Sequence, residues 1–225
     1  MAEKTKFYYD VVFCLDKTVK NDSQFAFIAS FIENFPNALR SYVANAETRV
    51  ERVRIKVIEY SDYNVCENAV IEHEFLELPE DYDKLADIFD AISFDTVEKY
   101  EGHSSGLEAL SYAFRSEWGD FGDKTGRQAV ALFSLNQPLS LEDSRNLDVY
   151  PKGLPANLFE LKKLWETQTD MTKDKRLLAV FTPKRKEKNS WASLESWDDA
   201  IAIGSEDINE LDSSFVTETL LIDLI

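Results

Sequence analysis

Asp16 and Thr18, a carboxylate and a hydroxyl two residues apart, stand where a long apolar run ends, and no other pair in the chain is better placed for chemistry. The run, Tyr8 to Leu15, is rich in β-branched and aromatic residues and too short for a globular helix, so a buried strand is expected. A helical pattern resumes within a few residues. Open α/β sheets place ligands outside the carboxyl ends of their strands, which makes the Asp16 loop the first candidate site.

Other chemistries find little support. His73 alternates within a strand pattern and His103 sits in a turn, so the first is expected to be a partly exposed strand residue and the second a loop residue bonded to its neighbours. No Ser-His-Asp or Cys-His arrangement is legible. Gly102 and Gly106 do not make a P-loop, because the Gly-Lys-Ser/Thr run that cradles phosphate is missing. Carboxylate pairs for glycosidase chemistry are too numerous in so acidic a chain for any one to stand out. Cys14 and Cys66 have neither zinc nor CxxC spacing, which points to a buried thiol and a free one in a reducing compartment.

The elements that must position the site follow from periodicity. Ser23 to Val43 carries Phe25, Ile28, Phe31, Ile32 and Phe35 at mostly helical spacing, with Pro36 expected to kink or end the helix. Arg52 to Tyr60 alternates charged and apolar residues, as a strand with one wetter face does. After a turn at Ser61 to Asn68, Ala69 to Leu78 alternates again and is expected to return antiparallel, since so short a connection cannot cross over. Helices are expected over Asp81 to Ser93, Ser104 to Phe114, Ala156 to Thr167, Ser190 to Ala200 and Ser213 to Ile225. Gln128 to Leu135 and Arg176 to Phe181 are near-continuous apolar runs suited to central parallel strands, and Ala200 to Ile203 to an edge strand. Trp165, Trp191 and Trp197 are expected in the core.

This alternation implies an α/β fold of three layers, a mostly parallel central sheet with one antiparallel edge strand and helices on both faces. The 225 residues, 44% of them hydrophobic, suffice for one domain spanning 1–225. Lys+Arg of 25 against Asp+Glu of 42 leaves a net charge of -17, which repels a nucleic-acid backbone. No run reaches the roughly 18 apolar residues of a membrane span, and a cytoplasmic protein is expected. Against this background Lys184-Arg185-Lys186-Glu187-Lys188 is the strongly basic run, either a solvated loop or a docking patch for an acidic partner.

The stretch FYYDVVFCLDKTVK resembles the first strand and loop of a von Willebrand factor A (vWA) domain, whose fingerprint is a hydrophobic strand running into Asp-x-Ser-x-Ser. Asp16 keeps the aspartate, Thr18 the first hydroxyl, and Lys20 replaces the second. Glu101 to Leu107 resembles the family's glycine-rich turn before its third helix, and Ala129 to Pro138 its fourth strand. The resemblance implies a sheet of the same Rossmann-like kind and a metal-ion-dependent adhesion site (MIDAS). Asp16, Thr18 and Ser104, with Ser105 as the substitute for Ser104, would supply its oxygens. A hard cation such as Mg²⁺ takes about six oxygen ligands, several from water. Here the family's fourth-strand Thr-Asp falls on Ser134-Leu135, so a carboxylate ligand becomes aliphatic. Lys20 adds an ammonium that would repel the ion by several kcal/mol in a partly desolvated loop.

The expectation is therefore a degenerate site that holds no cofactor, on a non-catalytic module that binds another protein. Lys20 either stands in for the cation and offers donors to an incoming acid, or begins the first helix and points to solvent. The segments Gly102 to Leu110 and Leu177 to Pro183 resemble those of bacterial vWA proteins that accompany tellurite-resistance, stress and defence genes. The alternative is a hydrolase or phosphotransferase using Asp16 and Mg²⁺ in the same cleft.

Overall fold

The computed structural model describes residues 4–18, 22–43, 48–92, 103–134, 136–183, 190–205 and 211–222. The expected first strand, β1 (Thr5–Asp16), lies inside a seven-stranded sheet, parallel to β2 (Thr48–Tyr60) on one side and to β6 (Thr125–Phe133) on the other. Beyond β6 the sheet continues in parallel through β8 (Arg176–Pro183) to β9 (Ala200–Ser205). On the far side of β2, β3 (Val70–Glu72) and β4 (Leu76–Leu78) both run antiparallel to it. The fold is thus the expected mostly parallel α/β sheet with an antiparallel edge.

That edge is broken where Ala69 to Leu78 was expected to be continuous. Ile58 faces Glu72, whereas Ile55, three residues back, faces Leu76, four residues on, so the edge carries one extra residue and bulges. The bulge turns Phe75 onto the Arg54 guanidinium, 4.4 Å from the ring centre, and onto Trp118.

The near-continuous apolar runs are buried on both faces. Phe7, Tyr9, Val11, Phe13 and Leu15 pack with Ala129, Ala131 and Phe133 under α1 (Asp22–Val43), α2 (Tyr82–Ala91) and α6 (Ser213–Leu220). Val12, Cys14, Val130, Leu132, Leu178 and Val180 face the other way. They meet α3 (Gly106–Phe114), α5 (Leu158–Lys163) with its π-helical extension Leu164–Gln168, and a 3-10 turn at Ser190–Ser196. Trp165, Trp191 and Trp197 are buried there, as expected. Cys14 is buried and Cys66 half-buried, and both are free.

Several helices differ from expectation: Ser190 to Ala200 gives only the 3-10 turn that stops at Ser196, and the Ser104 to Phe114 helix starts at Gly106. α1 runs through Pro36, whose ring forfeits one backbone bond while Phe31, Ile32, Phe35 and Leu39 on the same helix stay buried in the core. α6 ends at Leu220 instead of running to Ile225, so Leu220 and Leu221 are buried and Ile222 is exposed. The buried Tyr9 hydroxyl donates to the Leu220 carbonyl at 2.7 Å, satisfying one of the last-turn acceptors of α6. Tyr9→Phe is expected to cost about 1–2 kcal/mol in urea unfolding, because that carbonyl is left buried without its donor. Among the described residues no helix is long and apolar enough to cross a membrane.

Candidate functional site

Because β1, β2, β6 and β8 are parallel, their carboxyl ends lie together, and Asp16, Tyr60, Phe133 and Pro183 end them along one edge of the sheet. Asp16 is placed opposite Tyr60 in the register and is buried, as are Thr18 and Ser134. The chain turns back at once: the Thr18 backbone N–H donates to Asp16 Oδ1 at 2.9 Å, and the Thr18 hydroxyl donates to the same oxygen. From the end of β6, the Ser134 hydroxyl reaches Asp16 Oδ2 at 3.3 Å. The Asn136 side-chain amide donates to the Thr18 hydroxyl, extending the network by one link.

Asn136 is itself anchored. Its carbonyl accepts from the Trp191 indole N–H at 3.0 Å and from the Ser134 hydroxyl at 2.8 Å. The Trp191 ring lies over the start of α3, where a Cβ on Gly106 would come within 2.7 Å of ring atom Cη2. A glycine is needed there for the tryptophan to close over the strand ends. The Tyr60 hydroxyl donates to the Phe133 carbonyl at 2.8 Å. Burial first, and then the Asp16 charge, push this phenol well above its ordinary pKa.

Ser104 forms the short strand β5 (His103–Ser104), which pairs in parallel with β7 (Gln137–Pro138). This brings it beside the chain leaving Asn136, and its buried hydroxyl makes no hydrogen bond to Asp16 or Thr18. Ser105, the substitute for Ser104, accepts the Tyr63 backbone N–H at 3.1 Å instead. His103, expected in a turn, is in β5, and its Nδ1 is buried without a partner.

Lys17, between the aspartate and the threonine, is buried and directed away from Asp16 to Glu59, with Nζ 3.1 Å from Oε2. His73 Nε2 lies 2.6 Å from the other Glu59 oxygen. Burial works to raise the Glu59 pKa, but the hydrogen bonds and charges of His73 and Lys17 outweigh it and hold the carboxyl below its ordinary value. A bound carboxylate thus neutralises the Lys17 ammonium.

A metal of the kind the vWA resemblance implies would need the free lone pairs of these oxygens. Asp16 Oδ1 accepts both Thr18 donors, Oδ2 shares the single Ser134 proton with the Asn136 carbonyl, and the Thr18 hydroxyl both donates and accepts. The Asn136 amide offers N–H groups, which repel a cation, where a ligand oxygen is wanted. The unpartnered Ser104 hydroxyl is the feature that would suit an ion. Taken together, the donors among the described residues do not fit a hard divalent cation. Among the described residues no three His, Cys, Asp or Glu side chains cluster as a metal site either.

Lys20, Lys184, Arg185, Lys186 and Lys188 lie outside the described residues, as does Leu135. The strand that the basic run follows, β8, does end on the same edge as Asp16. The sequence analysis gave Asn136 no part in the site. Its amide completes the Thr18 link, and an asparagine directly after a buried strand end was the signal available.

No protein-family model matches this sequence, and no curated protein does. Solved structures do. Proximal thread matrix protein 1 from the mussel byssus, with a zinc-occupied MIDAS motif, aligns with 99% of this chain and 49% of its own at 15% identity and a TM-score of 0.54. The fold is vWA-like. A second crystal form of that protein aligns over 99% of this chain and 49% of its own, at 13% identity and a TM-score of 0.51. The pilus adhesin SpaC from Lactobacillus rhamnosus GG, in an open conformation, aligns with 100% of this chain and 30% of its own, at 8% identity and a TM-score of 0.55. The chain spans about half or less of the solved chains it matches, and the likeness is one of fold.

Proposed function

We propose that this vWA-like chain, as a single domain over 1–225, is a non-catalytic module that binds another protein at the carboxyl edge of its sheet without a metal. The observation that carries the reading is the Asp16 network, in which the Thr18 amide and hydroxyl occupy Oδ1 and the Ser134 hydroxyl stands over Oδ2. A site so arranged has lost the open oxygens that ion-dependent capture requires, and it keeps the strand-end position at which α/β sheets receive ligands. The partner is an acidic surface or carboxylate, met by Lys20 and by the basic run Lys184, Arg185, Lys186 and Lys188 against the -17 background. The setting is a bacterial stress-response or defence system in the cytoplasm, supported by the resemblance of Gly102 to Leu110 and Leu177 to Pro183 to that branch of the family.

Calorimetry with Mg²⁺ and Mn²⁺, paired with affinity capture from the native host, tests this directly. No micromolar metal binding is expected. Partner capture should survive EDTA and fall roughly tenfold in Lys20→Ala or on charge reversal of Lys184 to Lys188, as loss of a well-placed charge would give. Micromolar metal affinity, or capture abolished by EDTA, would overturn the reading. Mg²⁺-dependent turnover of phosphate or ester substrates that disappears in Asp16→Ala would put the hydrolase or phosphotransferase in its place.

A further inference from the structure

Glu108 lies outside the network just described and has no role in it. It sits on α3 with 0% exposure, and neither carboxylate oxygen has a hydrogen-bond partner among the described residues. A buried carboxylate without donors is costly, so such a group stays protonated or finds water. The Ser144 and Tyr150 hydroxyls lie close enough to act on its ionisation, but outside good hydrogen-bond geometry, and both are themselves buried without a partner. Both belong to the stretch that runs from α4 (Leu141–Ser144) to Tyr150. Within that stretch Leu141 and Ser144 are buried, and the Tyr150 ring meets Tyr63 edge-on at 5.7 Å. Leu147 is half-buried and Glu142, Asp143, Arg145, Asn146, Asp148 and Val149 are exposed, so the stretch is held down mainly through Leu141, Ser144 and Tyr150.

We propose that the Leu141–Tyr150 stretch is a proton-operated latch, closed on α3 while Glu108 is neutral and released when Glu108 ionises and draws water to its carboxylate. The groups facing Glu108 are Ser144 and Tyr150 from the latch and Asp62 from the turn after β2. Tyr63 from that turn also faces it, while Tyr112 of α3 and Arg145 act on Tyr150. Burial raises the Glu108 pKa from 4.5 to about 7, with the Asp62 charge adding to it and the two latch hydroxyls working against it. The sign follows from linkage. The closed form holds a proton that the open form gives up, so closure is favoured in acid, weakens as pH climbs from 4.5, and reaches its minimum a little above 7. The latch begins three residues after Pro138, close in the chain to the candidate binding edge, but the device does not depend on what that edge binds.

Hydrogen exchange with mass spectrometry on the full chain, corrected for intrinsic exchange rates, reads it without any partner. Between about pH 5 and pH 8, protection of the 141–150 amides should fall roughly 50-fold, while the central strands stay protected. Glu108→Gln, checked for native circular dichroism, should hold those amides protected across the whole range. Tyr150→Phe, a milder change, removes a hydroxyl that lowers the Glu108 pKa, so it should move the loss of protection to higher pH. Protection that does not change with pH in the unaltered chain would overturn the latch. So would a pH response that persists in Glu108→Gln, or an unmoved midpoint in Tyr150→Phe.

Discussion

Asp10→Ala is expected to lower the stability of the domain by about 3–5 kcal/mol, the cost of removing one partner from a buried charge cluster. Asp10 sits mid-strand in β1 with its side chain fully buried. Its Oδ1 accepts from Arg54 Nε at 3.0 Å and from Arg52 Nη2 at 3.3 Å. Its Oδ2 accepts from Arg54 Nη2 and from the Gly119 backbone N–H, the latter at 3.1 Å. The two arginine side chains are only 24% and 18% exposed, and they lie against Tyr8, Phe121 and Phe75. Without the carboxylate, two guanidinium groups face each other in a partly desolvated pocket and an amide loses its acceptor. For a chain of this size the melting temperature should drop by roughly 10 °C. Urea unfolding would show the midpoint shift at an unchanged slope, and a loss below about 1 kcal/mol would mean that water reaches the arginines. Adding Arg54→Met to the variant should recover part of the loss, since it removes one of the stranded charges.

That cluster also marks where the sequence stops being legible. Arg52 to Tyr60 reads as a strand with a wet face because Arg52, Arg54 and Lys56 alternate with apolar residues, and an isolated strand gives no hint of what covers them. In the fold the arginine face is covered by Asp10, Phe75 and Phe121, which arrive from three separate parts of the chain. The long apolar runs were legible for the opposite reason: Val130, Leu132, Ala129 and Ala131 are buried on both faces of β6, so their identity does not depend on which neighbour they meet. Asp16 and Thr18 were legible as a site because strand ends have a fixed place in parallel sheets. The bulge between β3 and β4 was not, since a single extra residue leaves the alternation of Ala69 to Leu78 almost intact. Glu108 was passed over within SSGLEALSYAF because one acid in a helix is normally its solvated face, and here the latch covers it.

Trp191→Ala should be as destabilising as any truncation in the core, about 3–5 kcal/mol, and it should also weaken partner capture. Trp191 is 1% exposed, its ring lies against Gly106 and its indole N–H holds the Asn136 carbonyl. Truncation leaves a void over the start of α3 and removes one of the two donors to that carbonyl. Asn136 is then free to shift, and its amide is what holds the Thr18 hydroxyl beside Asp16. Trp165→Ala provides the control. Trp165 is equally buried, with its indole N–H on the Asp198 carbonyl at 2.8 Å and its ring 4.6 Å from Arg176, the first residue of β8 and so at the opposite end of the sheet. It should cost a similar amount of stability and leave the strand-end edge alone. Capture measured well below both melting temperatures should then fall in Trp191→Ala and hold in Trp165→Ala. Equal losses in the two variants would mean that capture tracks global stability and that the Asp16 edge is not the binding face.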